Sequence, residues 1–589
     1  MKKTAFRTSL LLTTAFILLG CDDAKEDKTS KDDDNVIGFY TPYTIDTPPP
    51  TLSGSYLAGQ FAQNRSDWGV AADNFARILD ATPNQRDIQR RVMALEMGSG
   101  HYDQAIAIAE KLSKSENNDK ALATLILSLK NFKDGQFPES LKNIESYQND
   151  ALGVAILPLL KTWASVSQGQ GKADVTLLKD SPSLLYQAVL VAAFAKDKET
   201  ISRLAADYDF TKTPTPISRL EDIALIFGAY GEDKESKEIY AALKNAIPAR
   251  IAFYDEQLKK IETGKIESLP KQVTNPQIGL SEAVFDMAQI LSNGYSDSSR
   301  LFAHMSLYLN PDNDSAYELL AQIAADNELY ADATSYLSQI DTKNDEEKKT
   351  QITRQIAQLQ VSAGHPDEAI RILKDLVETQ KNIDAQIQIG DIYRSQENFK
   401  FALDAYNDAF DLLGGKITAP YWNLSFARGM TNERLKNWAA AEKDLQTALL
   451  FEPDQPYILN YLGYSWADQG VNIEKAAEMI EKAVRLKPDD GAIVDSLGWI
   501  YFRMGQFDKA VIVLEKAVQL EPTEPEINDH LGDAYWRVGR KNEARFQWSR
   551  AISFAKDDSM IAKMQFKIDD GLPALVTSEK PSSTIIGKN

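Results

Sequence analysis

Near the end of the chain six positions return after 34 residues. Leu497, Gly498, Tyr501, Gly505, Ala510 and Ala517 reappear as Leu531, Gly532, Tyr535, Gly539, Ala544 and Ala551. A fixed period of this size marks a stacked repeat, in which one supersecondary unit cannot bury its apolar face alone and does so against its neighbours. Strand-like alternation is essentially missing from the pattern, so the chain is expected to be all-α. For such a stack, function is to be sought in binding surfaces before catalytic constellations.

The residue types resemble the tetratricopeptide (TPR) pattern: Leu-Gly, an aromatic three residues on, a second Gly, two Ala, then Pro522. The resemblance implies pairs of helices, A and B, stacked into a superhelical solenoid. Three further units precede the two exact ones, carried by Gly390/Tyr393/Ala402/Tyr406/Ala409, by Gly429/Trp438/Ala441/Ala448/Pro453 and by Gly463/Trp466/Gly470/Ala476/Ala483/Pro488. Small residues allow close helix approach, aromatics fill the space opposite them, and Pro453, Pro488 and Pro522 end each second helix. Degenerate units are traced from Gly59, Gly100, Gly135, Gly231 and Gly364, about a dozen hairpins in all. The stretch from Ile247 to Ile278, with Pro248, Pro270 and Pro276, is expected to separate two arms.

Lys2, Lys3 and Arg7 followed by an apolar run to Leu19 make a signal peptide, since that run is shorter than the ~20 residues a bilayer span requires. It ends Leu18-Leu19-Gly20-Cys21, which resembles the lipobox of bacterial lipoproteins, and Cys21 is the single cysteine of the 589 residues. The resemblance implies lipidation at Cys21. Asp22-Asp23, a Lys/Asp/Ser-rich stretch to Asp34 and Pro48-Pro49-Pro50 are expected to form a disordered tether. The expected organisation is a signal peptide (1–20), lipidated Cys and tether (21–50), degenerate repeats (51–265), middle repeats (266–380), well-formed repeats (381–570) and a tail (571–589).

The formal charge is −20, and loss of Lys2, Lys3 and Arg7 makes the remainder more acidic still. Such a body repels phosphate backbones, so nucleic acid is not an expected partner. Catalytic signatures fail in turn. There is no His-Glu-x-x-His and no Cys-x-x-Cys, and His101, His304, His365 and His530 are scattered. Gly463-Tyr464-Ser465-Trp466-Ala467 lacks the final Gly of a nucleophile elbow, and Gly414-Gly415-Lys416 lacks the upstream Gly of a phosphate loop. No catalytic residue, metal site or cofactor is expected.

In TPR solenoids the A helices line a concave groove. The resemblance places Asn460, Tyr464, Asp495, Trp499, Arg503, Asp529, Asp533, Trp536 and Arg537 on that wall. Aromatic and Arg side chains there suit a protein ligand; core packing of Trp499 and Trp536 is the competing reading. Asn460-Tyr461-Leu462-Gly463-Tyr464, Asp495-Ser496-Leu497-Gly498-Trp499, Asn528 through Trp536 and Tyr308-Leu309-Asn310-Pro311, with the lipobox and length, resemble a proteobacterial family of large TPR lipoproteins. One class of that family, the LbcA type, binds a carboxyl-terminal processing protease and presents substrates to it. The resemblance implies an envelope adaptor facing the periplasm, with the processing protease and cell-wall hydrolases as partners. The family favours the outer membrane; Asp22 resembles an inner-membrane retention signal. The alternatives are an assembly lipoprotein for an outer-membrane machine (pilus secretin, β-barrel insertion or polysaccharide export) and a hydrolase with an unrecognised site. The oligomeric state stays open.

Overall fold

The structure is a computed structural model that describes residues 51–114, 120–145, 151–167, 172–178, 184–212, 215–247, 250–266 and 273–573. Cys21, the signal peptide and the tether lie outside the described residues, as does the tail beyond Pro573. Among the described residues there are 29 α-helices and no strand.

One repeat shows how the sequence produces the hairpin. Asp490 caps the helix Gly491–Arg503 by accepting from the Ile493 N–H at 3.1 Å, which satisfies a donor the first turn leaves free. The helix ends at Met504, and Gly505 takes φ 72°, a left-handed conformation that suits glycine. The helix Phe507–Leu520 then returns with Ala510, Val511, Leu514, Ala517 and Val518 buried. Close approach of the two helices depends on Gly498, where a Cβ would stand 2.5 Å from Leu514 Cγ. The same offset of 16 residues pairs Gly532 with Trp548 and Gly390 with Tyr406, at 2.5 and 2.4 Å. The repeat glycines are thus sockets for one large side chain of the partner helix.

The chain divides into two compact units, 1–364 and 365–589. The irregular stretch 247–278 does not divide them. Its helix Ile251–Glu262 packs on Asp233–Ala246 inside the first unit.

In the first unit a central hairpin, Pro276–Ser292 and Ser296–Leu309, packs back onto the helices Arg86–Gly98, Ala121–Lys133, Ala151–Ser165 and Leu185–Phe194. Every residue from Ser298 to Leu309 is buried, as expected of a helix surrounded on all sides. The seams are specific. Gly279 receives Trp163, whose ring carbons would lie 2.1–2.4 Å from a Cβ there. Lys133 Nζ donates to the Tyr308 carbonyl at 2.6 Å, and Gln277 Nε2 to the Lys133 carbonyl at 2.8 Å. Gln187 Nε2 donates to Asp286 Oδ2 at 2.6 Å. Buried Arg219 completes the contact through Nη2, 2.8 Å from both Glu282 Oε2 and Asp286 Oδ1. The surface that successive N-terminal hairpins would offer a ligand is therefore taken by the chain's own residues 276–309.

The second unit contains five consecutive hairpins, from Ile383–Ser395 with Phe399–Leu412 through Pro525–Arg537 with Lys541–Phe554. A last single helix, Asp558–Asp570, packs on Lys541–Phe554.

Candidate functional site

The inner wall of the second unit is built from residues at fixed offsets from the repeat glycines. One position after the Gly stand Asp391, Met430, Tyr464, Trp499 and Asp533. Five positions after it stand Ser395, Arg434, Asp468, Arg503 and Arg537. Helical geometry puts these two sets about one turn apart on one face. What each position meets then depends on its place in the stack.

At the C-terminal end the wall is closed by the chain itself. Lys567 of the last helix lies between Asp529 and Asp533, with Nζ 2.7 Å from Asp529 Oδ1 and 2.8 Å from Asp533 Oδ1. Burial, then the neighbouring Asp529, raises the Asp533 pKa against the pull of Lys567. Trp548 Nε1 donates to the same Asp533 carboxylate at 2.9 Å. Trp536 is covered by Gly571, where a Cβ would stand 1.9 Å from the indole, and Arg537 Nη1 donates to the Pro573 carbonyl at 2.8 Å. The expectation that Asp529, Asp533, Trp536 and Arg537 form open groove is corrected by these contacts. The terminal helix and the turn after it occupy the space.

One repeat earlier the wall is packed rather than open. Asp495 is buried and accepts from His530 Nδ1 at 2.8 Å. Trp499 is stacked between Phe502, at 4.9 Å and 8°, and His530, at 4.2 Å and 17°. Burial alone would lower the His530 pKa, but the Asp495 carboxylate outweighs it and raises it to about 9. Asp495 and Trp499 thus hold adjacent A helices together. Arg503 remains exposed and binds Asp468, through Nη1 to Oδ1 at 3.3 Å and Nη2 to the backbone carbonyl at 3.1 Å.

Beyond these, towards the N-terminal side of the unit, lies a cavity of about 850 Å³. Phe399, Trp438, Tyr461 and Tyr464 supply its aromatic surface, and Arg394, Arg434, Glu433, Asp468 and Glu526 its charges. The hydroxyls are anchored: Tyr461 donates to Glu433 Oε2 at 3.0 Å, and Tyr464 lies 3.5 Å from Glu526 Oε1. Burial raises the pKa of both phenols, with those carboxylates adding to it, so they are neutral donors at physiological pH. Arg394 Nε donates to Tyr406 Oη at 3.1 Å and its Nη2 to Asp391 at 3.3 Å. Asn460, on the same helix as Tyr464, has a buried Oδ1 with no hydrogen-bond partner.

Of the nine residues named from the sequence, Tyr464 lines the cavity. Asn460 lies on the same helix, and Arg503 binds the cavity residue Asp468. Arg434 and Asp468 were overlooked although their signal was present, since they occupy the position that singled out Arg503 and Arg537. Glu526 carries no such signal; it reaches the cavity from the first turn of a helix two hairpins further on. His304 comes close to the turn before His101, its ring 3.5 Å from where a Cβ on Gly100 would stand, but the two histidines bind different partners. His101 Nδ1 lies 2.7 Å from Glu96 Oε2, and buried His304 lies 3.2 Å from Tyr336 Oη, with its pKa pushed to about 3 by burial and by Arg300. Aromatic area flanked by charges of both signs is the composition of surfaces that bind proteins.

Two sequence comparisons agree with this reading of the repeats. Residues 314–566 match the family model described as the cilia and flagella-associated protein 70 C-terminal domain, a TPR model. A TPR repeat-containing protein of Pseudomonas aeruginosa is 32% identical over 197 residues, 33% of this chain and 32% of that protein. The matched region thus spans about a third of the relative's length. Among solved structures, the anaphase-promoting-complex heterotetramer Cut9–Hcn1 aligns over 89% of this chain and 96% of that one, with 15% identity and a TM-score of 0.38. Yeast Tom70 aligns over 88% and 95%, with 12% identity and a TM-score of 0.34. No helix among the described residues is long and apolar enough to cross a membrane.

Proposed function

We propose that this tetratricopeptide-repeat protein, a scaffold for protein–protein interaction, is a lipid-anchored adaptor of the bacterial cell envelope that holds its partner in the cavity of the second unit. One observation carries the reading. The first unit fills its inner face with residues 276–309 and the last repeat is covered by Lys567 and Gly571, whereas the cavity between Arg394 and Glu526 has about 850 Å³ of space. Its aromatic surface offers rigid contact area at low entropic cost, and its mixed charges select for a partner segment with complementary charges.

The assignment to a membrane rests on Cys21. An acylated N-terminus gains about 0.8 kcal/mol for each buried methylene, and more than one chain makes a lasting anchor. The lipobox-like Leu18-Leu19-Gly20-Cys21 supports this, with the chain facing the periplasm and the outer membrane as its site. The partner we assign is a carboxyl-terminal processing protease together with its cell-wall-hydrolase substrates, brought together by effective concentration at the membrane. This finer assignment rests on the resemblance of the C-terminal motifs to the large TPR lipoproteins.

Co-purification from detergent-solubilised cells, with the wild-type chain beside a Tyr464→Ala/Arg434→Glu variant, tests both levels. The expected result is recovery of a periplasmic protease with the wild type and its loss with the variant at unchanged helicity. Equal recovery with both removes the cavity from the reading. Recovery of an outer-membrane assembly complex without a protease transfers the protein to that alternative role.

A further inference from the structure

The first described helix, Leu52–Asn64, leaves an apolar face that no other described helix covers. Leu57 is 69% exposed and Phe61 66%; Leu52 is also open, and Tyr56 is half-exposed, one edge of its ring packed on Phe75. Leu57 and Phe61 are one turn apart, so they form one patch. The opposite side of the helix is packed: Gly59 receives the Phe75 ring, and Ser55, Gly59 and Ala62 are buried. A stacked-repeat protein normally ends in a polar outer face, because the terminal unit has no neighbour to cover it. This end does not follow that rule, so its apolar face calls for a cover.

We infer that the cover is the chain's own segment 36–45. Val36-Ile37-Gly38-Phe39-Tyr40-Thr41-Pro42-Tyr43-Thr44-Ile45 contains six large apolar or aromatic residues and no charge, between Asp32-Asp33-Asp34 and Pro48-Pro49-Pro50. It has the wrong composition for a solvated linker, whose sequences avoid aromatic and β-branched residues. Attachment is short. Thr51 caps the helix, its hydroxyl accepting from Gly54 N–H at 3.0 Å, and the three prolines directly before it span about 9 Å in their extended form. The helix of 13 residues is about 20 Å long. The residues from 36 to 47 reach up to roughly 40 Å, enough to turn back and run along it.

The two other occupants fit less well. A second copy meeting the same face would bury four side chains a side, short of the ~1,200–2,000 Å² that stable interfaces bury. An anionic bilayer would need a set of cations, and the exposed surroundings of Leu57 and Phe61 provide Ser53, Asn64 and Arg65, with a single charge. Docking leaves residues 22–35 as the free part of the linker. This last consequence, unlike the docking, rests on the anchor at Cys21 proposed above.

Hydrogen exchange by mass spectrometry and limited chymotrypsin digestion of the purified full chain test the inference. Amides in 36–45 and the bonds after Phe39, Tyr40 and Tyr43 are expected to be at least ~10-fold protected in the wild type compared with Leu57→Ser/Phe61→Ser. Phe39→Ser/Tyr40→Ser, which changes only the segment, is expected to lose the same exchange protection without change in the circular dichroism of the repeats. Equal exchange in all three chains overturns the inference. So does protection that fades on dilution, which assigns the face to a second copy, or protection that arises only with phosphatidylglycerol vesicles, which assigns it to a membrane.

Discussion

Trp499 lies face to face on His530, with ring centroids 4.2 Å apart and planes within 17°. The two residues come from successive A helices, so the stack is a seam between repeats. Truncation of Trp499 to Ala is expected to destabilise the second unit by about 2 kcal/mol, through lost apolar burial and lost stacking. Arg503, exposed and paired with Asp468, is expected to change stability by less than about 0.5 kcal/mol when replaced by Ala. Urea titrations of the two single variants check this. Equal effects would remove the distinction between a packed Trp499 and a surface Arg503.

The same seam is pH-dependent. Burial opposes the charged form of His530, but Asp495 prevails and the pKa rises to about 9, above the usual ~6.5 of an unfolded histidine. The folded state therefore holds more protons between those values, and its stability must fall as pH rises through that window. The contribution is complete below about pH 6.5 and gone above about pH 9. Thermal midpoints measured from pH 6 to pH 10 are expected to decline for the wild type. Asp495→Asn removes the cause, and its curve is expected to be flatter over the same range.

Lys567 contacts two carboxylates, Asp529 and Asp533, the second of them buried. Lys567→Met leaves both acids close together without their counter-charge. Breaking one side of such a pair costs about 3 kcal/mol. Asp529→Asn/Asp533→Asn in the Lys567→Met background is expected to recover most of that loss, which a lost packing contact alone would not allow. Calorimetry of the wild type and the two variants gives the comparison.

These three residues also show where the sequence was readable and where it was not. The hairpins between 383 and 554 were legible because each carries a glycine socket, as Gly498 and Gly532 do, and such sockets recur with the period. The last helix has no socket: Phe566 stands 34 residues after Gly532, where a further repeat would need a small residue. Nothing in the pattern therefore announced a helix that closes the groove over Asp529 and Asp533. In the first half the hairpin 276–309 was readable as helical but not as central, because buried Arg300, His304 and Glu282 give it a surface-like composition. Packing partners far apart in sequence, such as Trp163 and Gly279, leave no periodic trace. In the cavity, Tyr464 was found by its repeat position, while Glu526 joins the wall by reaching the Tyr464 hydroxyl from a helix 62 residues further on, a contact that leaves no periodic trace.

Arg219 faces three acidic side chains, and burial keeps two of them, Asp222 and Glu282, from ionising as readily as they would in water. For Asp222 the shift is the larger. Its pKa is raised to about 6, chiefly by burial, against about 3.9 when unfolded. The unfolded chain thus ionises first, so this group costs stability progressively as pH rises from about 4 to 6 and fully above it. Asp222→Asn keeps an acceptor for the Tyr186 hydroxyl, which donates to Asp222 Oδ2 at 2.9 Å. The variant is expected to be about 1 kcal/mol more stable than the wild type at pH 7.5 and no more stable at pH 4. Arg219→Leu, which leaves three carboxylates unopposed, is expected to unfold the first unit under the same conditions.

Several A–B turns place a residue other than glycine in the left-handed region, among them Ser66 at φ 59°, Lys196 at 56° and Glu328 at 62°. Equivalent turns use Gly505 and Gly539, at 72° and 88°. An L-residue with a Cβ costs roughly 1–2 kcal/mol in this conformation, while glycine returns part of that by greater freedom in the unfolded chain. Glu328 is exposed, and its backbone N–H bonds to the Ala325 carbonyl at 3.0 Å, a bond that glycine preserves. Glu328→Gly is therefore expected to stabilise the first unit by about 0.5–1 kcal/mol, with Glu328→Ala close to neutral. A thermal midpoint that falls for the glycine variant would mean that the Glu328 side chain holds the turn by a contact outweighing its backbone strain.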